Sequence, residues 1–290
     1  MERKRTVIFL VVGILVLCSG MIGLVVKFSG NTRGPVGDGS TLTPRVGTCR
    51  NSSEPGTAAG FPETFGGRYA MCTGPHEVET YYVGRVDGSL SDTGADKEIG
   101  DTCRAEADKF LGGPLPTGKV ATTSYLEENA SHLAKRWFSC DIAEVGSTAA
   151  TTLVSRTGTL RGALAGTGPM LIGCANATTD DFVFLADCAT PHTAELAGLY
   201  TLREEVVPAD GDARDRAVAP GCQKTVTDFL GWDQPTFEDS ELIEGTFWGP
   251  TAEKVRAGDR VFQCFVTTLG DRKLVGSVRA LGPRKVPVVA

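Results

Sequence analysis

The chain has 290 residues, 41% of them hydrophobic and 22% charged, with a formal net charge of -6 at pH 7. This is globular composition, too apolar for wholesale disorder and too irregular for collagen or a long coiled coil. It is also too acidic for nucleic-acid binding, which rests on Lys and Arg neutralising phosphates. Nine Cys and three His are the unusual counts. So many thiols call for an oxidising compartment or a metal, while so few imidazoles limit His-based metal chemistry.

At the N-terminus, Arg3, Lys4 and Arg5 precede a run from Thr6 to Val26 without a charge. As a helix that run spans roughly 30 Å, the thickness of the hydrocarbon layer. The positive-inside rule then places residues 1–5 in the cytoplasm and everything after Lys27 outside. A cleaved signal peptide is the competing reading, but the run is long for one and no small-x-small cleavage site closes it. Cys18 is expected as a thiol within the membrane. We therefore expect a transmembrane anchor over residues 6–26 and a flexible Gly-, Ser-, Thr- and Pro-containing linker over 27–43. Residues 1–27 hold four basic side chains and one acidic, so the remainder is more acidic than the whole and is not expected to lie flat on anionic lipid.

The rest of the chain repeats. Met71 to Glu79 reads MCTGPHEVE and Asp187 to Glu195 reads DCATPHTAE, both containing C-x-x-P-H-x-x-E. Cys103 to Gly112 (CRAEADKFLG) matches Cys222 to Gly231 (CQKTVTDFLG), and Trp137-Phe138-Ser139-Cys140 matches Val261-Phe262-Gln263-Cys264. Val46-Gly47-Thr48-Cys49 corresponds to Leu171-Ile172-Gly173-Cys174, and Gly158-Thr159-Leu160-Arg161 echoes Gly276-Ser277-Val278-Arg279. Landmarks recurring in one order mark a tandem pair, residues 44–164 and 167–281, with a tail at 282–290. Each unit is a normal size for a domain.

Each repeat owns four Cys: Cys49, Cys72, Cys103 and Cys140 in the first, Cys174, Cys188, Cys222 and Cys264 in the second. An even share suits disulfides within each repeat, and the absence of any C-x-x-C pair argues against zinc. Four Cys permit three connectivities. Cys103, Ala107, Phe110 and Leu111 fall on one face of a helix stopped by Gly112-Gly113-Pro114, and Cys222, Val226, Phe229 and Leu230 repeat that face before Gly231. The second Cys opens a strand at residues 76–86 or 192–202, and the fourth belongs to one at 136–145 or 260–269. The pairing we prefer joins first to second (Cys49–Cys72, Cys174–Cys188) and third to fourth (Cys103–Cys140, Cys222–Cys264), stapling helix to sheet. The fold expected is α+β, two small disulfide-stapled domains of mainly antiparallel sheet with one or two helices each. Residues 208–219 are expected as a charged loop, and Trp137, Trp232 and Trp248 as core.

With its VG-x-C start, C-x-x-P-H-x-x-E core, helix Cys and strand Cys, the chain resembles the actinobacterial septum formation domain family. The first repeat supplies Val46, Gly47, Cys49, Cys72, Pro75, His76, Glu79, Cys103 and Cys140. The second supplies Gly173, Cys174, Cys188, Pro191, His192, Glu195, Cys222 and Cys264, departing at its start where the spacer residue is missing. The resemblance implies membrane-anchored proteins of a Gram-positive envelope linked to cell division, and it implies no ligand or reaction.

Pro75, His76, Glu79 and their counterparts Pro191, His192, Glu195 are the candidate functional residues, of recognition character. His titrates near neutral pH and both His and Glu can serve as acid, base or ligand. In a strand, however, residues three apart point to opposite faces, and two ligands per copy fall short of a zinc site. The expectation is structural: Pro sets the approach to the strand, His bonds a neighbouring backbone group, and Glu caps or pairs locally. His132 is expected to be solvated. No G-x-S-x-G, H-E-x-x-H or phosphate-loop pattern occurs, so no catalytic residue, metal or cofactor is assigned. The expected function is a non-catalytic interaction or scaffold protein of the envelope, tied to septum formation or wall assembly, whose partner is an envelope or divisome protein, a peptide or a wall polymer. The alternative is an envelope hydrolase or metal-dependent enzyme using the Pro-His-x-x-Glu motifs.

Overall fold

Alternating inward and outward side chains along the strands build each half of the chain in the same way. The computed structural model describes residues 44–51, 68–127, 135–150 and 152–289. The first half contains β1 (Cys49–Asn51), β2 (Arg68–Ala70), β3 (Val78–Asp87), helix α1 (Asp92–Leu111), β4 (Val120–Leu126) and β5 (Lys135–Glu144). Its antiparallel sheet runs β2-β1-β3-β5-β4. The second half contains β6 (Cys174–Ala177), β7 (Phe182–Phe184), β8 (Ala194–Thr201), α2 (Gly211–Leu230), α3 (Gln234–Glu238), β9 (Ile243–Trp248), α4 (Ala252–Arg256) and β10 (Val261–Thr268). Its sheet runs β7-β6-β8-β10-β9, the same order position for position. Even the register shift recurs, at Tyr81 in β3 and Ala197 in β8.

The chain is thus α+β, with antiparallel sheets stapled by disulfides. The second half carries three helices rather than one or two, because short α3 and α4 flank β9. No helix among the described residues is long and apolar enough to cross a membrane. The anchor expected over residues 6–26, the linker over 27–43 and His132 lie outside the described residues.

Both long helices begin well before the first turn expected of them. The apolar stripe of α1 continues upstream of Cys103 through Ile99 and Ala95, both buried, to an N-cap at Ser91, whose hydroxyl accepts from the Gly94 amide. Gly94 and Gly100 conceal this stretch because glycine weakens any local helix signal. In α2 the concealment is stronger. Residues 211–219, expected as loop, are helical, with Asp210 as N-cap and Pro220 in the interior. A proline removes one backbone bond and costs about 3 kcal/mol in a helix. Burial of Val218 and Cys222 on either side of it offsets that cost. At the other end Gly112 and Gly231, at φ 73° and 69°, turn the chain in the left-handed conformation that stops each helix.

The face of each sheet toward its helix forms a core. Phe138, Cys140 and Ile142 of β5 meet Ile99, Cys103, Phe110 and Leu111 of α1. Phe262, Cys264 and Val266 of β10 meet Val218, Cys222, Val226 and Leu230 of α2. The described residues form one compact unit, so the halves are not independent beads. Residues 146–149 follow β5 onto the edge of the second sheet. There the Phe184 amide bonds the Gly146 carbonyl at 2.8 Å and the Thr148 amide bonds the Phe182 carbonyl at 3.1 Å. Within the 282–290 segment expected as a tail, residues 282–289 fold back: β12 (Val288–Val289) pairs with β11 (Lys273–Leu274).

Candidate functional site

Eight of the nine Cys form four bonds, Cys49–Cys72, Cys103–Cys140, Cys174–Cys188 and Cys222–Cys264. The third-to-fourth bonds tie α1 to β5 and α2 to β10. The first-to-second bonds close loops that carry the Pro-His-x-x-Glu motifs.

Each motif is wired to a second landmark far along the chain. Glu79 is buried, and its two carboxylate oxygens accept from the Thr159 hydroxyl (2.7 Å) and the Leu160 amide (2.9 Å), about eighty residues away. Glu195 likewise accepts from the Ser277 hydroxyl and, at 2.8 Å, from the Val278 amide. The Gly-Thr-Leu-Arg and Gly-Ser-Val-Arg landmarks are therefore the turns that these carboxylates hold. Gly158 and Gly276, at φ 79° and 84°, start those turns. Their amides donate to the Cys72 and Cys188 carbonyls at 2.6 and 2.8 Å. Arg161 and Arg279 then lie over the rings of Phe110 and Phe229, pinning each turn to the end of its helix. The capping expected of Glu is real but long-range, which sequence separation cannot reveal.

His76 and His192 are buried in matching positions. Nδ1 of His76 lies 2.9 Å from the Gly74 carbonyl and Nδ1 of His192 lies 2.8 Å from the Thr190 carbonyl. A carbonyl only accepts, so Nδ1 carries the hydrogen, and Nε2 is the nitrogen whose lone pair a neutral ring would offer. Both Nε2 atoms are buried without a hydrogen-bond partner among the described residues. The backbones of these His pair with Arg156 and Leu274 in isolated bridges. Strand β3 begins only at Val78, and a bend at Glu77 breaks the alternation. His76 and Glu79 consequently do not face opposite ways: ligand atoms of Cys49, His76 and Glu79 all lie within 4.8 Å of one another. In the second half Cys174, Cys188 and His192 cluster in the same sense. Pro75 and Pro191 are exposed at the lip of each loop.

A second feature, invisible in the motifs, lies where the halves meet. A cleft of about 730 Å³ runs between them, walled by Pro114, Pro116, Gly118, Ser147 and Thr148 from the first and by Phe184, Trp248, Lys254, Val261 and Gln263 from the second. Trp248, expected in the core, is only half-buried and lines this cleft, whereas Trp232 is buried and donates to the Leu281 carbonyl at 2.6 Å. The junction is polar and closely bonded. Gln263 donates to the Pro116 carbonyl (2.7 Å) and Lys119 to the Leu185 carbonyl (2.6 Å). Burial holds the Lys119 ammonium below its usual range, against the pull of Glu144 and Asp187. Burial raises the Asp181 carboxyl, but hydrogen bonds from Ser147, Thr148, Ala149 and Phe182 outweigh it and hold the group below the ordinary carboxylate range.

The outer faces of the two sheets differ. In the first, Arg50 pairs with Asp141 at 2.8 Å, both fully buried, and Asp141 also accepts from Thr80 and Ser139. In the second, the register places Ala175, Phe265 and Leu196 at the positions of Arg50, Asp141 and Thr80. There Phe265 stacks on Phe182, with ring centroids 4.0 Å apart.

The fold and its wiring define a two-repeat, disulfide-stapled α+β protein whose motifs build loops and whose halves enclose a cleft. The family model described as "Septum formation" matches residues 46–264, and the chain belongs to the septum formation family. That single match runs across both repeats. No curated protein and no solved structure matches the chain.

Proposed function

We propose that this is a non-catalytic interaction or scaffold protein of the bacterial cell envelope, serving septum formation or wall assembly and holding a protein, peptide or wall-polymer segment in the cleft between its repeats. On this reading residues 6–26 anchor it in the cell membrane, residues 1–5 are cytoplasmic, and the disulfide-bonded repeats stand outside. Membership of the septum formation family supports the process. Four disulfides support an oxidising compartment.

The observation that carries the binding reading is the cleft. It combines a half-buried Trp248 and three prolines with amide, hydroxyl and ammonium groups, the mixed lining of a ligand site. Its walls are held together by backbone bonds across the junction, so little ordering is left to be done on binding. The enzymatic alternative has weaker support, because both oxygens of Glu79 and of Glu195 are already engaged as turn caps.

A photo-crosslinking residue at Thr251, on the cleft wall, should capture a discrete envelope component from intact cells. The same residue at Asp239, an exposed site away from the cleft, should not. Trp248→Ala should abolish the Thr251 product while leaving the fold intact. Equal capture from both positions, or capture unaffected by Trp248→Ala, refutes the cleft as the binding site.

A further inference from the structure

The two buried His rings present a feature that a packing role does not explain. A buried acceptor without a partner costs about 1–3 kcal/mol, and the fold carries one in each repeat, at Nε2 of His76 and His192. Each ring is held by a backbone carbonyl at Nδ1, the arrangement that orients a His whose other nitrogen binds a metal. What lies beside each ring is a disulfide. Cys49 and Glu79 offer ligand atoms within 4.8 Å of His76, and Cys174 and Cys188 do so for His192.

The four bonds also differ in access. Both partners of Cys103–Cys140 and of Cys222–Cys264 are buried. In the loop bonds, Cys49 and Cys174 are buried but Cys72 and Cys188 are partly exposed. A reductant therefore reaches the loop bonds first, from the side of the partly exposed Cys.

We propose that each loop is a latent zinc site, closed as a disulfide and opened by dithiol reduction, with Cys49, Cys72 and His76 as ligands in the first repeat and Cys174, Cys188 and His192 in the second. A thiolate of the dithiol attacks Cys72 Sγ, the Cys49–Cys72 bond breaks, and Cys49 leaves as a thiolate beside His76. The second thiol of the reductant then displaces Cys72, and the reductant departs as its own disulfide. Two thiolates and the Nε2 lone pair bind the divalent ion, which keeps a fourth position for water. The second repeat follows the same steps with Cys188 attacked and Cys174 leaving. The ion takes up the lone pair that the oxidised fold leaves unpartnered.

The test titrates the full chain with a dithiol under non-denaturing conditions and adds cobalt(II) as a spectroscopic stand-in for zinc. One ion per repeat is expected, with thiolate-to-metal charge-transfer absorption and protection of Cys72 and Cys188 from alkylation. Single His76→Ala or His192→Ala variants should each lose one ion, and the double variant both, although every thiol remains. Unchanged stoichiometry and spectrum in the double variant, or no ion bound by the folded reduced chain, overturns the proposal. Where reduction unfolds the chain, a Cys72→Ser, Cys188→Ser variant decides. It keeps Cys49 with His76, and Cys174 with His192, without any reductant. Binding with a one-thiolate spectrum supports the site, and no binding overturns it.

Discussion

The buried Arg50–Asp141 pair tests how the two repeats, alike in topology, differ in energetics. Burial pushes the Asp141 carboxyl up, while the Arg50 guanidinium and the Thr80 and Ser139 hydroxyls pull it back. If the carboxylate is ionised in the fold, Asp141→Asn removes the partner of a buried guanidinium, at a cost of about 3–5 kcal/mol. For a chain of this size each kcal/mol moves the midpoint by about 2–4 °C, so Tm should fall by roughly 10 °C. The second repeat shows the other limit. It fills the same places with Ala175 and Phe265, so the position tolerates apolar packing. The paired replacement Arg50→Met with Asp141→Leu should therefore be neutral or stabilising by about 1–4 kcal/mol, recovering what the single change loses. Thermal and denaturant unfolding of both singles and the double closes the cycle. A loss below about 1 kcal/mol for Asp141→Asn would refute the reasoning, because asparagine mimics the neutral acid and the pair would then carry a proton in the fold. The pH dependence separates the same alternatives. A folded pKa raised above the unfolded value gives stability that is present below the unfolded value and lost as pH rises through the folded one, a contribution that Asp141→Asn should abolish.

Removing the carboxylate of Glu79 or Glu195 deletes two charge-assisted bonds to a distant turn. Alanine at either site should cost about 2–4 kcal/mol, and hydrogen exchange should rise first at residues 158–164 or 276–281. Cys222–Cys264 closes 42 residues and Cys174–Cys188 closes 14, so loop entropy makes loss of the former costlier by about 1 kcal/mol; equal or inverted costs in denaturant unfolding would count against the entropic account. Asp181 titrates below its usual value in the fold, so its contribution is present above the unfolded pKa and lost as pH falls through the lower folded one. Acid unfolding should accordingly be less steep in Asp181→Asn, with opening starting at the 146–149 edge in the parent chain.

Much of the architecture was legible in the residues because it rests on local patterns. Repetition of the Cys, Pro-His-x-x-Glu and Gly-x-x-Arg landmarks marked two like halves, and the stripes through Cys103 and Cys222 marked a helix in each. The strands around residues 78–87 and 135–144 followed from runs of β-branched and aromatic side chains. Local rules failed where tertiary packing overrode them. Gly94, Gly100 and Pro220 hid the first halves of the helices, which form because Ala95, Ile99 and Val218 are buried against a sheet. A bend at Glu77 defeated the two-residue alternation and brought His76 and Glu79 together.

By itself, then, the sequence determined composition class, an uncharged N-terminal run, a twofold repeat and an even distribution of thiols, all properties of order along one dimension. Only the tertiary structure decided that the repeated motif carboxylates hold turns some eighty residues away, that each His ring lies beside a disulfide, and that Trp248, while packed on one side against the core, lines a cleft on the other. These are contacts between residues far apart in the chain, fixed by how two sheets twist, pair and dock. No spacing rule within a single segment encodes them.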